Sequence, residues 1–156
     1  MKTYNILTIE ELKKNIDKNS RLLGIDPGKK NIGIAICDEK KVVATPLTII
    51  KKKKFRILLK EIQDIIKEND IRGIVIGNPI NMDGSFGKSS QSATDFAKNL
   101  LNNIPIPIVL WDERLSTVGA FNLSSQLDVN VSKRVKNIDQ NTAAFILQGA
   151  VDYLNN

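Results

Sequence analysis

Histidine is absent from the 156 residues, and cysteine occurs once, at Cys37. Without imidazole there can be no Ser-His-Asp triad, no Cys-His pair, no His-ligated zinc and no histidine acid–base catalysis. A single thiol excludes internal disulfides, Cys-rich zinc sites and CxxC redox chemistry. No apolar run approaches the ~18 residues of a membrane helix. The first residues, MKTYNILTIEELKK, lack the basic-then-apolar order of a signal peptide. Residence in the cytoplasm, with no membrane partner, is the expectation. Any metal must be held by carboxylate and carbonyl oxygens, which suits Mg2+ or Mn2+.

What is present describes an ordinary folded chain. Hydrophobic residues make up 42% and charged residues 26%, enough to bury one core and too apolar for disorder. The formal net charge of +6 makes a polyanionic partner plausible without identifying one. Thr8-Ile9-Glu10-Glu11 fits a capping box, with Leu12 and Ile16 on one face of a short helix. Residues 1–20 are therefore read as an accessory helix lying against a main domain of residues 21–156.

Hydrophobic periodicity outlines that domain. Short apolar runs predict strands from Arg21 to Ile25, Asn31 to Cys37, Val42 to about Ile50, Ile74 to Ile76 and Ile108 to Trp111. Helical spacing predicts helices over 54–68, from about 88 to Leu101, over 116–126 and from about 139 to 154, the last with Ala143, Ile146, Leu147, Ala150, Val151 and Leu154 inward. Residues 128–138 read as a basic, mobile loop. Three hairpin-linked strands followed by alternating helices and strands indicate an α/β domain with a five-stranded mixed sheet flanked by helices.

Ligands of open α/β sheets collect beyond the carboxyl ends of the strands. Asp26 ends the first strand, Asp112 and Glu113 end the fifth, and Asp139 opens the last helix, one turn before Ala143. Crowded carboxylates need a cation, and a hard divalent ion needs several such oxygens. Each acid also has a plainer reading. Asp-Pro-Gly is a common turn, Asp139 is a suitable N-cap, and Asp112 with Arg114 can form a loop ion pair. Asp112 and Glu113 must point to opposite faces. Parity does not choose between them, since Val109 and Trp111 on one side and Ile108 and Leu110 on the other are all apolar. The loop from Asn78 to Ser85 offers amides, a hydroxyl and turn N–H groups to a phosphate or sugar, or is a surface turn. Lys51 to Lys54 with Arg56 is a basic run, read more readily as a solvated helix start than as a phosphate contact. Lys133, Arg134 and Lys136 precede Asp139 and favour a polyanionic substrate.

These segments resemble the motifs of a known family. Gly24-Ile25-Asp26-Pro27-Gly28, Asn81-Met82-Asp83-Gly84, Asp112-Glu113-Arg114-Leu115-Ser116-Thr117 and the stretch from Ile138 to Gln148 are similar to the four motifs of the YqgF (RuvX) family, in the right order, over about residues 21–154. The resemblance implies a ribonuclease H-like fold related to Holliday junction resolvases. It implies a divalent-metal-dependent nuclease that processes the 5′ end of precursor 16S ribosomal RNA, as monomer or homodimer. Asp26, Glu113 and Asp139 would be catalytic and metal-binding. Lys29, Lys30, Asn81, Asp83, Arg114, Lys133 and Arg134 would contact substrate. A structure-selective nuclease for branched DNA and an inert RNA-binding assembly factor are the alternatives. The chain departs from the pattern in its first 20 residues, at Asn78 where Leu is usual, and at Thr142 where related resolvases carry an acid. The fourth strand also lacks the acid common in the wider superfamily, so Glu113 would have to reach across from one strand further out.

Overall fold

The computed structural model describes residues 6–79, 83–115 and 131–155, with side chains of the last segment from Thr142 onward. Its strands are β1 (Ile6–Leu7), β2 (Arg21–Pro27), β3 (Asn31–Cys37), β4 (Ala44–Lys51), β5 (Ile71–Asn78) and β6 (Ile108–Asp112). Its helices are α1 (Ile9–Asn15), α2 (Phe55–Glu68), α3 (Lys88–Leu101) and α4 (Val131–Leu154). The sheet has the order β1-β6-β5-β2-β3-β4. β2, β3 and β4 form an antiparallel meander, while β2, β5, β6 and β1 run parallel.

Helices cover both faces of the sheet. Leu23, Ile25, Ile34, Ile74, Ile76 and Ile108 form one core with Leu58 and Ile62 of α2 and Leu100 of α3. Leu22, Ala35, Val75, Val109 and Trp111 form the other with Leu12 of α1 and Ile146, Leu147 and Val151 of α4. Each alternate residue of β2, β5 and β6 thus belongs to a different core, as the two-residue repeat of a strand requires. Full burial of each such Leu, Ile or Val contributes roughly 1.5–3 kcal/mol. α1 begins at the capping box: Glu11 N donates to Thr8 Oγ1 and Thr8 N to Glu11 Oε1, both at 3.2 Å. Among the described residues, no helix is long and apolar enough to cross a membrane.

Four sequence expectations need correction. The sheet has six strands rather than five, because Ile6–Leu7 pairs in parallel with Ile108–Val109. A two-residue strand is too short to leave a periodic signal. The third strand starts at Ala44 rather than Val42, since the N–H groups of Val42 and Val43 donate to the Asp38 carboxylate at 2.7 and 2.8 Å. The fourth starts at Ile71 and runs to Asn78, past Gly77. The last helix begins at Val131, so the backbone of 131–138 is helical and Asp139 lies inside the helix rather than at its cap. Lys and Arg are good helix formers, and no Gly or Pro interrupts 131–154 until Gly149. The predicted helix at 116–126 and residues 128–130 of the predicted loop lie outside the described residues.

Candidate active site

Asp26 sits near the carboxyl end of β2, paired with Gly33 of β3. It alternates with Leu22 and Gly24 and so belongs to the α4 face of the sheet. A Cβ built on Gly33 would lie 3.5 Å from Asp26 Cβ and 3.3 Å from Ala143 Cβ. Glycine at this point therefore lets α4 approach β3 beside Asp26, as Gly24 does on β2, where a Cβ would lie 2.7 Å from Leu147 Cβ. Position 139 is one helical turn before Ala143, and the side chain of Asp139 lies outside the described residues.

Glu113 follows β6 as the first residue of a 3-10 turn, Glu113–Leu115. Its parity partners Val109 and Trp111 lie in the α4 core, while Ile108 lies in the other. The tertiary packing thereby separates two carboxylates that the sequence left equivalent. Glu113 leans over β5, where a Cβ on Gly77 would be 2.8 Å from its Oε1. The reach across one strand exists because residue 77 has no side chain. Burial, then the charge of Asp26, then that of Asp112, push the Glu113 carboxyl up to about 7. An acid of β2 and one just past the end of β6 thus share a half-buried space and resist joint ionisation. Among the described residues no group of three or more potential metal-ligating side chains gathers, and Asp26 and Asp112 are the acids whose charge bears on Glu113.

Asp112 has a different occupation. Arg114 donates through Nε at 3.1 Å, through Nη2 at 2.8 Å and through its backbone N at 3.0 Å to the Asp112 carboxylate. That pairing holds Asp112 below the usual carboxylate range. The loop ion pair considered for Asp112 and Arg114 is thus present. Arg114 also extends over the turn at Gly84, 3.7 Å from where a Cβ would be, and within the field of Asp83. Asp83 is exposed and accepts from Ser85 N at 2.9 Å and Ser85 Oγ at 2.6 Å, which lowers its pKa.

The remaining candidates divide. Lys29 and Lys30 line a cleft of about 350 Å³ whose walls include Asp26, Gly33 and Ile49. Asn78 is turned away to the other face, where its Oδ1 accepts from Ser90 Oγ of α3 at 2.7 Å, so it cannot also cradle a ligand beside Asp26. Asn81 lies outside the described residues. Lys133, Arg134 and Lys136 occupy the first two turns of α4, their side chains outside the described residues. Gly77 lies inside β5. A glycine inside a strand is a signal of close approach, and here it identifies the notch that Glu113 occupies.

Comparison with known proteins places this geometry in a family. A protein of Pelagibacter ubique, named as a candidate pre-16S rRNA nuclease, is 58% identical over 151 residues, covering 97% of this chain and 100% of that protein. One of the same name from Rhizobium johnstonii is 41% identical over 150 residues, covering 96% of this chain and 92% of that one. The solved structure of T. thermophilus RuvC in complex with Holliday junction substrate superimposes with a TM-score of 0.51 at 10% identity, over 86% of this chain and 94% of that one. At that identity the likeness concerns the fold, which is ribonuclease H-like. The RuvX family model, described as Holliday junction resolvase, matches residues 20–153, and with relatives this similar over nearly the full length the chain belongs to the RuvX family.

Proposed function

We propose that the chain is a divalent-metal-dependent nuclease that cuts precursor 16S ribosomal RNA at its 5′ end, in the cytoplasm. The observation that carries this reading is the pair of carboxylates from β2 and β6 on the α4 face, with Glu113 raised to about 7 beside Asp26. Such a pair is electrostatically uncomfortable alone and suited to a hard dication, which prefers oxygen donors. Asp26, Glu113 and Asp139 would hold it, and position 139 on α4 is one turn before Ala143, which packs beside Gly33, the β3 partner of Asp26. Mg2+ or Mn2+ bound there supplies an activated water and charge for the leaving oxygen. Attack of water on phosphorus with departure of the 3′ oxygen leaves a 5′-phosphate and a 3′-hydroxyl. The chain's own residues orient the backbone for this step. Lys29 and Lys30 lie beside Asp26, Arg114 is held in place by Asp112, and Asn81, Asp83, Lys133 and Arg134 complete the substrate contacts. The names of the relatives support RNA as the substrate.

A second reading, cleavage of branched DNA, is favoured by the description of the family model. A homodimer with two sites would suit it, since a junction has two strands to cut. Single-turnover cleavage of a precursor 16S RNA fragment and of a four-way DNA junction, with and without Mn2+, tests both. We expect metal-dependent cleavage of the RNA. Glu113→Gln should lose most of the chemical rate while RNA binding persists, and Asp112→Asn should be milder, loosening only Arg114. A dead Asp112→Asn beside an active Glu113→Gln would reverse the assignment. Cleavage of the junction alone would select the DNA reading.

A further inference from the structure

The lysine run that the sequence placed at a solvated helix start begins next to the cleft beside Asp26, because Ile49 lines both that cleft and a neighbouring one that holds Lys51 and Lys53. Asp26 pairs with Gly33, and Gly33 with Ile49 of β4. Directly paired residues project to the same face, so Ile49 stands on the Asp26 side of the sheet, half exposed at 50%. Lys51 follows two residues later on that face, paired with Asn31, and Lys52 N donates to Lys30 O at 2.8 Å. The turn carrying Lys29 and Lys30 is therefore joined through its backbone to the start of the run, with Lys51 on the Asp26 face and Lys52 and Lys53 turning toward α2 and α3. Strand spacing and rise put Lys51 roughly 12 Å from Asp26.

The local physics of α2 argues against a purely structural run. Lys54 is its N-cap, makes no side-chain capping bond, and no acid occupies the first turn. Positive charge at the positive end of a helix dipole is unfavourable. Lys53 is paired with Glu61 at 2.6 Å. Among the described residues, no carboxylate lies within ion-pair distance of Lys29, Lys30, Lys51, Lys52 or Lys54. A concentration of unneutralised cations with a half-exposed isoleucine between them and the acids fits a polyanion that also has apolar rings.

We propose that the cleft at Asp26 continues over Ile49 to Lys51, Lys52 and Lys54, and that this track binds the RNA backbone several nucleotides from the cut. The proposal rests on reading the chain as an RNA nuclease and adds where the flanking strand runs. Binding is measured by fluorescence anisotropy across a salt series, without divalent metal, for two RNAs centred on one precursor 16S cleavage junction. One has roughly 3 nucleotides and the other roughly 30, bracketing the ~4–16 that a single-strand-binding domain covers. The variant Lys51→Ala/Lys52→Ala/Lys54→Ala should lower the log–log salt slope on the long RNA by about 2, at ~0.7 per lost phosphate contact. It should bind the short RNA as wild type does. A control triple, Lys14→Ala/Lys67→Ala/Lys98→Ala, should leave both slopes unchanged. An unchanged slope on the long RNA, or an equal loss in the control, overturns the track. Cleavage of the long RNA by wild type with Mn2+ is scored separately. Its absence would count against the nuclease reading, while the binding slopes alone decide the track.

Discussion

Glu113 lies over Gly77, its Oε1 2.8 Å from the point a Cβ would occupy. Gly77→Ala should therefore push the carboxylate away from Asp26. The same Cβ would meet Ile146 Cδ1 at 2.6 Å, so the single variant strains the core as well. Adding Ile146→Val removes that Cδ1 and leaves only the conflict with Glu113. Both variants should lose on the order of 100-fold in single-turnover cleavage, as a displaced reacting group does. Only Gly77→Ala alone should show the larger drop in thermal midpoint, compared with an Ile146→Val control. A double variant that cuts at the wild-type rate would sink the idea that residue 77 positions Glu113.

Asp26→Asn keeps the shape of the side chain and removes its charge. Cleavage should fall to background while the fold is retained. Mn2+ should raise the thermal midpoint of the wild type and leave that of the variant almost unmoved. Ligand at a hundredfold excess over its Kd stabilises by about 2.7 kcal/mol, well within calorimetric reach. Equal stabilisation of both proteins would place the metal elsewhere.

Stability of the metal-free protein should fall as pH rises. The Glu113 carboxyl is near 4.5 in an unfolded chain and about 7 in the folded one, so the folded state binds more protons between those values. Stability from this group is complete below about 4.5 and is lost as pH climbs through 7. The difference corresponds to about 3 kcal/mol. Urea titrations at pH 5 and pH 8 should show the decline in wild type and a flatter profile in Glu113→Gln. A profile that is equally steep in both proteins would assign the effect to other groups.

Removing residues 1–20 takes away β1 and the fully buried Leu12, and with them the capping box of α1. The loss of that burial should cost a few kcal/mol at most by area reasoning. It also bares the edge of β6, a site for strand pairing between molecules. We propose that this segment is accessory to catalysis. The soluble fraction of the truncated protein should turn over RNA at the wild-type rate, and loss of cleavage in a folded sample would instead tie the segment to the substrate path.

Much of this molecule is legible in the amino-acid order. The absence of histidine leaves oxygen ligands as the means of holding a metal, and the periodicity of Leu58, Ile62, Ile146 and Leu147 marks the inner faces of α2 and α4. Thr8 and Glu11 announce the start of α1, and Asp26 stands out because a charged residue follows an apolar run. What the order of residues could not decide is which alternate set on β6 meets α4, since both sets are apolar and parity is blind to the layer packed above it. Long-range packing of Trp111 and Val109 against α4 decides that, and so separates Glu113 from Asp112. The reach of Glu113 over Gly77, the meeting of Lys51 with the Lys30 turn and the extra turns of α4 before Asp139 have the same origin. Each depends on strand order and register between distant segments, and those are set by burial on both faces of the sheet, which no local window of sequence contains.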